Sequence, residues 1–210
     1  MSDFFDDLET RDPAQREAQH MAALPGLVAH AQKAAPAFAE LLRGVDAAAI
    51  TSRAALARLP VIRKTELFER QKAQRASDPF GGFATLVRGP QMPRVYASPG
   101  PIYEPEGEGR DYWRTARAMH AAGFAAGDLV HNSFSYHLTP AGSMMEGGAH
   151  AVGCTVFPGG VGNTELQLKA MADLQPDAYA GTPSFLRIAL EKAEELGQAI
   201  PTLRKASLGG

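Results

Sequence analysis

Residues 95–107, Val-Tyr-Ala-Ser-Pro-Gly-Pro-Ile-Tyr-Glu-Pro-Glu-Gly, divide the chain into two parts with different patterns. The β-branched and aromatic start of this stretch predicts a strand. Ser-Pro-Gly-Pro ends the strand, because proline and glycine suit neither a helix interior nor a strand interior. Ligands of parallel α/β sheets bind at the carboxyl ends of strands, so residues 98–104 are predicted to form a binding loop.

The part after this loop predicts a mostly parallel sheet of about five strands. Strand patterns occur at 95–97, 129–134, 154–157, 177–180 and 203–208. Helical patterns separate them at 111–123, 140–152, 164–174 and 185–196. Because strands and helices alternate with short linkers, the predicted fold class is α/β.

The part before this loop lacks strand patterns. Residues 1–75 predict a helical amino-terminal segment, whose first helix starts at Asp12 as the cap with Pro13 in the first turn. Residues 76–94 are rich in Gly, Pro, Arg and Ser and predict an irregular connection. We therefore expect a third region, the parallel α/β subdomain, at 95–210.

The chain ends on a turn that does not return to the sheet. Its last predicted strand runs directly into Gly209 and Gly210. In parallel sheets such a turn normally leads into another crossover, so we expect the chain to be truncated after Gly210. The exposed sheet edge predicts self-association or poor solubility, and a homodimer is among the expected assemblies.

The composition narrows the class of protein. The 210 residues are 45% hydrophobic and 21% charged, as in ordinary globular proteins, and the net charge of -2 favours neither nucleic acid nor an anionic membrane as partner. The acidic amino terminus lacks a secretory signal pattern, and no apolar run approaches the roughly 20 residues that span a bilayer. A single cysteine excludes an internal disulfide. These features predict a cytoplasmic location.

Several motifs then occur in order along the chain. They are Ala97-Ser98-Pro99-Gly100, Ser135-Tyr136-His137, the run Gly-Cys-Thr-Val-Phe-Pro-Gly-Gly at 153–160 followed by Thr164-Glu165, the run Gly-Thr-Pro-Ser-Phe at 181–185, and the closing Gly209-Gly210. Their order and spacing resemble the phenylacetate-CoA ligase group of the adenylate-forming acyl-CoA ligases, over nearly the whole chain. The resemblance implies the fold of the front part of the large domain of these ligases.

The resemblance also implies a two-step reaction. A small carboxylic acid, with aromatic acids among the candidates, attacks the α-phosphate of ATP to give an acyl-adenylate, and coenzyme A then displaces AMP. ATP with Mg and coenzyme A are therefore the implied co-substrates. The implied site residues are Ser98, Gly100 and Pro101 in the phosphate loop, Tyr136, His137, Gly159 and Gly160 in the acyl pocket, and Gly209 and Gly210 on the adenine side. The resemblance places no catalytic residue within the chain, because the ribose-binding aspartate and the catalytic lysine of the family follow Gly210. The expected enzyme is therefore a longer parent protein, an AMP-forming carboxylate-CoA ligase, and the 210-residue chain alone is expected to be inactive.

The predicted phosphate loop departs from the pattern of the group, which is rich in Ser, Thr and Gly and ends in lysine. Pro99 and Pro101 lack amide hydrogens for a phosphate, no lysine follows, and Glu104 adds a negative charge. Glycine backbone can still approach phosphate closely. The departure supports an alternative hypothesis, a degenerate, non-catalytic ligase-like protein that binds a small acid or a protein partner.

Other candidate residues have two interpretations each. Tyr136 and His137 could be packed wall residues, Gly159 and Gly160 a simple turn, and the segment 182–184 a helix cap or a ligand contact.

His131, His137, Glu146 and His150 could suggest a metal, but we expect no metal site, because a zinc site needs three or four converging ligands. Cys154 is predicted to be an inert core thiol. The carboxylates Glu104, Glu106, Glu108 and Asp111 could form an acid/base pair, but a solvated rim is the expected arrangement.

Overall fold

The computed structural model describes residues 3–210 and confirms the α/β fold class. Met1 and Ser2, which belong to the predicted helical segment, lie outside the described residues. The chain forms two compact units. One is Thr10–Glu108, and the other combines Gly109–Gly210 with the residues up to Glu9.

Helices form most of the unit Thr10–Glu108. They are α1 (Pro13–Ala34), α2 (Pro36–Leu41), a 3-10 turn (Ala47–Ala49), α3 (Arg53–Leu56) and α4 (Lys64–Gln74). The predicted cap of α1 is confirmed, because the Asp12 carboxylate accepts hydrogen bonds from the amides of Ala14 and Gln15 at 2.9 and 3.0 Å. Val28, Leu42 and Ile50 form the buried centre of this helical layer.

A β-hairpin follows the helices and corrects the predicted binding loop. Strands β1 (Arg94–Ser98) and β2 (Ile102–Glu106) pair antiparallel, with Ser98 opposite Ile102. The prediction that 98–104 is a loop after a parallel strand is therefore wrong. The segment 99–101 reverses the chain, and the β-branched and aromatic pattern resumes at once in β2. Pro105 is tolerated because a two-stranded sheet consists of edge strands.

The hairpin also shifts the division of the chain. It belongs to the unit Thr10–Glu108, so the two units divide after Glu108, whereas the sequence placed the α/β subdomain from 95 onward. The side chain of Gln71 in α4 explains this grouping. Its amide hydrogen-bonds both the amide and the carbonyl group of Tyr103 in β2, each at 2.9 Å. The segment 76–93 between α4 and the hairpin is irregular apart from an isolated bridge.

The second unit contains a four-stranded parallel sheet. Its elements are α5 (Ala116–Ala121), β3 (Leu129–Asn132), α6 (Ala141–Val152), β4 (Thr155–Pro158), α7 (Thr164–Leu174), β5 (Ala178–Gly181), α8 (Pro183–Glu195) and β6 (Lys205–Leu208). The strand order is β4-β3-β5-β6, with every neighbouring pair parallel. The predicted parallel sheet is thus confirmed with four strands, because 95–97 pairs only within the hairpin.

One predicted helix is shorter than expected. The pattern predicted a helix over 111–123, but α5 covers only Ala116–Ala121. The carboxylate of Asp111 accepts hydrogen bonds from the amides of Thr115 and Ala116, at 2.9 and 3.2 Å. Asp111 therefore holds residues 111–115 in a turn before α5, because a short acidic side chain competes with the helical backbone for amide hydrogens.

Apolar cores cover both faces of the parallel sheet. Met119, Phe124, Val130 and Ala149 pack on one face beneath α5 and α6. The opposite face carries a second cluster beneath α7 and α8, made of Leu168, Met171, Tyr179, Ala189 and Ala193. Within the described residues, no helix combines the length and the apolarity needed to cross a membrane.

Candidate functional site

The carboxyl edge of the parallel sheet brings together most of the predicted site residues. Helix α6 leaves β3 toward the β4 side, and α8 leaves β5 toward the β6 side, so the crossovers diverge between β3 and β5. A crevice at such a switch point is the common ligand site of open α/β sheets. The segments that follow the four strands at this edge are 133–140, 159–163, Thr182 and 209–210.

Tyr136 is fixed at this edge by two polar side chains. The Asn132 amide donates hydrogen bonds to the Tyr136 hydroxyl at 2.8 Å and to the Gly142 carbonyl at 2.9 Å. Burial, followed by a hydrogen bond to the Glu146 carboxylate, raises the pKa of Tyr136 above its ordinary value. The hydroxyl therefore stays protonated near neutral pH.

Two glycines lie against the ring of Tyr136. A Cβ atom at Gly142 would come within 2.8 Å of ring carbons of Tyr136, and one at Gly160 would lie 3.9 Å from its Cδ2 atom. The ring therefore lies between α6 and the turn after β4. The structure thus places Tyr136 and Gly160, both predicted acyl-pocket residues, next to each other.

His137 does not join this arrangement. Its side chain is exposed, and its contacts come from the backbone: its amide donates to the Ser135 hydroxyl at 3.1 Å, and its carbonyl accepts from the Thr139 amide at 2.7 Å. Its neighbour Leu138 has a positive φ of 64°. His137 therefore helps to shape a tight turn, with its imidazole on the outside.

Gly159 lies over a buried histidine. His131 and Gln167 are hydrogen-bonded at 2.7 Å between Nε2 and Oε1, and a Cβ at Gly159 would lie 2.8 Å from both atoms. Both side chains are buried. The turn after β4 therefore needs glycine at position 159.

The last two glycines follow β6 beside the end of β5. The Gly209 amide donates to the Gly181 carbonyl at 3.2 Å, and a Cβ at Gly210 would lie 3.1 Å from Cγ2 of Thr182. Thr182 itself accepts a hydrogen bond from the Phe185 amide at 3.3 Å and begins α8, which confirms it as a helix cap.

The predicted phosphate-loop residues lie in the other unit, at the hairpin turn. The Ser98 hydroxyl reaches the Ile102 carbonyl across the turn at 3.5 Å. At Gly100, φ is 156°, and an added Cβ would lie 3.2 Å from Ile102 and 3.5 Å from Phe68 of α4. This turn therefore packs closely on α4.

A cavity of about 260 Å³ lies beside this turn and contains a lysine. Its lining residues are Lys64, Thr65, Phe68, Pro99, Gly100 and Ile102. Among the ion pairs of the described residues, none includes Lys64. A neighbouring cavity of about 490 Å³ shares Lys64 and Ile102 and is otherwise lined by Phe38, Ile62, Arg63, Leu67, Phe83 and Glu104. Although no lysine follows the turn in sequence, the fold thus supplies one.

The structure corrects the interpretation of the carboxylates as a solvated rim. Glu106 is only 6% exposed and forms an ion pair with Arg94 at 2.6 Å across the hairpin. Asp111 caps the turn before α5, and Glu104 lines the larger cavity of the helical unit. Only Glu108 is fully at the surface. These carboxylates have separate structural roles and do not form a pair.

Cys154 is buried, as predicted, and burial raises the pKa of its thiol to about 11. The thiol is therefore protonated near neutral pH and a poor nucleophile. In residues 3–210, no group of three or more His, Cys, Asp and Glu side chains is arranged to hold a metal ion.

Sequence reasoning missed the side chains that position the site. Asn132 could have been noticed as a polar residue within the predicted strand 129–134. Glu146 was considered only as a metal ligand, and its contact with Tyr136 depends on how α6 packs. Gln167 and Lys64 carry no local signal, since Gln167 is paired with His131 on β3, 36 residues away, and Lys64 lines a cavity beside the hairpin turn.

Comparison with known proteins agrees with this geometry. The chain is similar to solved structures of 2-hydroxyisobutyryl-CoA ligase. The alignment with its complex with 2-HIB-AMP and CoA covers 90% of this chain and 42% of the ligase chain, with a TM-score of 0.76 and 25% identity. A postadenylation complex with R3-HIB-AMP has a TM-score of 0.77 and 26% identity, and covers 90% of this chain and 41% of that chain. The fold is thus that of the adenylate-forming acyl-CoA ligases.

The sequence comparison gives the family. The phenylacetate-coenzyme A ligase of Aromatoleum evansii is 34% identical over 203 residues, which are 91% of this chain and 44% of that protein. The enzyme of the same name from Thermus thermophilus is 32% identical over 202 residues, 91% of this chain and 43% of that protein. No protein-family model matches the chain. The chain belongs to the phenylacetate-CoA ligase family and spans less than half the length of these relatives.

Proposed function

We propose that this chain is part of an ATP-dependent, AMP-forming carboxylate-CoA ligase. In the first step, a carboxylate oxygen bonds to the α-phosphorus of ATP and pyrophosphate leaves. In the second step, the sulfur of coenzyme A bonds to the acyl carbon and AMP leaves. The similarity to phenylacetate-CoA ligases and to a CoA ligase captured with an acyl-adenylate supports this reaction class.

The contact of Tyr136 with Gly160 is the observation that carries the proposal. An aromatic face and a bare backbone lie side by side at the carboxyl edge of the sheet, near its switch point. Such a surface suits the apolar body of a small acid, because glycine lets a ligand approach the backbone and the ring adds apolar contact. An aromatic substrate is consistent with these contacts and with the names of the relatives.

The hairpin turn is the proposed phosphate contact. ATP would arrive as its magnesium complex, and the Lys64 ammonium and the Gly100 backbone line the same cavity. Lysine can neutralise phosphate as a point charge, whereas the prolines of the turn offer no amide hydrogen. Because both co-substrates of this reaction class are abundant in the cytoplasm, we propose a cytoplasmic site of action. A homodimer stays a prediction.

The test is acid-dependent chemistry by the protein purified at its full natural length. Phenylacetate and 2-hydroxyisobutyrate are each offered with Mg-ATP and coenzyme A, and mass spectrometry detects the CoA thioester, while exchange of labelled pyrophosphate into ATP detects the adenylate. We expect both signals with at least one acid. A folded protein that gives neither signal with a wide panel of carboxylic acids would contradict the proposal.

A second candidate is a non-catalytic acid-binding protein of the same fold. The hairpin turn favours it, because Pro99 and Pro101 remove two amide donors from the predicted phosphate loop. This candidate predicts saturable binding of a carboxylic acid without exchange of pyrophosphate into ATP. A binding titration with the acid, carried out beside the two assays above, therefore distinguishes the two candidates.

A further inference from the structure

A buried histidine lies beneath the turn that follows β4. The ring of His131 is stacked between Phe157, at 5.2 Å between ring centroids, and Tyr179, at 6.3 Å. Only 1% of the His131 surface is exposed, and burial lowers the pKa of its imidazole. The ring is therefore neutral near pH 7, with a single N–H group to place.

The hydrogen bonds of Gln167 decide where that N–H group lies. The Gln167 amide nitrogen donates to the carbonyls of Gly160 at 3.0 Å and Gly162 at 2.6 Å. Its oxygen must therefore face His131, and Nε2 of His131 must be the donor to it. This assignment uses both donors of the Gln167 amide. If the amide were flipped, its oxygen would face the two carbonyl oxygens and could not donate to them.

His131 and Gln167 together hold the 159–162 turn in one place. Gln167 donates hydrogen bonds to two carbonyls of the turn, and a Cβ at Gly159 would lie only 2.8 Å from atoms of both side chains. Gly160, between these contacts, lies beside the ring of Tyr136. A shift of the Gln167 amide would therefore change the distance between the turn and Tyr136.

We propose that Gln167, oriented by His131, is a positioning residue that sets the separation between the 159–162 turn and Tyr136 and so selects among carboxylic acids by size. The proposal rests on the function proposed above, because it assumes that an acid binds against both of these neighbouring surfaces. Gln167 touches no substrate in this scheme and acts through the carbonyls it holds.

The first variant is Gln167→Met, which keeps the length of the side chain and loses all three hydrogen bonds. The second is Gln167→Glu, which can still accept from His131 but cannot donate to the carbonyls. Lys169→Met, an exposed position on the same helix, is the control. Binding of phenylacetate and of 2-hydroxyisobutyrate is measured by NMR, together with the tautomer of His131, and kcat and KM are measured for both acids.

We expect the ratio of the affinities for the two acids to change by about fivefold or more in both Gln167 variants, with the effect in KM, while the control keeps the wild-type ratio. The amide signals of Gly160 and Gly162 should move when acid binds to the wild-type protein. An unchanged ratio in a folded Gln167→Glu protein, or no acid binding to the wild-type protein, would overturn the proposal. A changed binding ratio without any thioester would instead refute the ligase activity and leave the positioning role standing.

Discussion

At the residue scale, the contrast between two glycines of α6 gives a sharp test of the packing around Tyr136. Alanine normally stabilises a helix interior relative to glycine, by about 1 kcal/mol. At Gly147 a Cβ would meet no atom within 4 Å, whereas at Gly142 it would lie 2.8 Å from the Tyr136 ring and the Ser135 carbonyl. The two substitutions should therefore have opposite signs.

We predict that Gly147→Ala raises the free energy of unfolding by about 0.5–1 kcal/mol. Gly142→Ala should lower it by about 1–3 kcal/mol, because overpacking forces a ring or a backbone to move. Urea unfolding followed by circular dichroism measures both values. Stabilisation by Gly142→Ala would show that Tyr136 does not pack on α6.

Lys64 is the residue on which the proposed phosphate contact depends. Replacing Lys64 with Gln removes the only cation that lines the turn cavity within the described residues. We predict that Lys64→Gln weakens Mg-ATP binding by roughly tenfold, as expected for the loss of one charge-assisted contact. Calorimetric titration measures this affinity, and Lys64→Arg should retain most of it.

The control is Lys33→Gln, which removes an exposed lysine from the last turn of α1. It has the same effect on net charge and should leave Mg-ATP affinity unchanged. Equal losses in the two variants would mean that ATP responds to overall charge and not to a site at the turn.

The burial of His131 predicts a pH dependence of stability. Burial lowers the pKa of this histidine in the folded state, so below the ordinary value of about 6.5 the unfolded chain takes up a proton that the folded chain does not. The stabilising contribution is therefore present above pH 6.5 and is lost as the pH falls. The limiting slope for one proton is about 1.4 kcal/mol per pH unit.

We expect the free energy of unfolding to fall between about pH 6.5 and 5.5, above the range in which carboxylates titrate. His131→Gln should remove this part of the pH dependence, although it lowers stability at pH 7. Unfolding curves at several pH values measure the slope. A variant with the wild-type slope would assign the effect to another group.

At the element scale, Gln71 joins α4 to the hairpin. Its side chain is 2% exposed and bonds both polar groups of the Tyr103 backbone. Gln71→Ala leaves a buried amide and a buried carbonyl without a partner, which costs about 1–3 kcal/mol for each group. We predict a loss of about 2–4 kcal/mol in unfolding free energy, together with faster hydrogen exchange at the Tyr103 amide.

Gln74→Ala, later in the same helix, is the matched control and should change stability by less than about 0.5 kcal/mol. If the Tyr103 amide stays equally protected in both variants, the hairpin is held to α4 by apolar packing alone. The same measurement reports on the phosphate site, because Phe68 and Lys64 lie on the face of α4 that meets the turn.

At the scale of the whole molecule, the two compact units predict separable stability. Gln71 and Tyr103 lie in the unit Thr10–Glu108, and the parallel sheet lies in the other unit. Because local opening follows cooperative units, Gln71→Ala should speed hydrogen exchange throughout the helical unit and leave β5, whose residues are all buried, at its wild-type protection. Mass spectrometry of peptide fragments measures this. A uniform increase over both units would mean that the chain opens as one body.

Much of the fold could be predicted because its signals are local. The caps at Asp12 and Thr182 come from short-range hydrogen bonds, and the alternation of strands and helices after residue 129 comes from periodicity. The hairpin was missed because a strand that follows a Pro-Gly-Pro turn is short and contains a proline. The grouping of the first residues with the sheet was missed because it depends on a distant ion pair, Asp6 with Arg117 at 2.6 Å.

For the candidate site, the sequence alone determined the residue types that the carboxyl edge of the sheet presents, including Tyr136, Gly159 and Gly160, and the family to which they are similar. These are properties of motifs, and motifs are contiguous. Only the tertiary structure decided which side chains hold those motifs in place. Asn132 and Glu146 orient Tyr136, Gln167 joins the turn before its own helix to His131 on β3, 36 residues away, and Lys64 reaches a turn through the packing of α4 on a hairpin. Such contacts depend on crossovers and helix packing, which residue order does not encode locally.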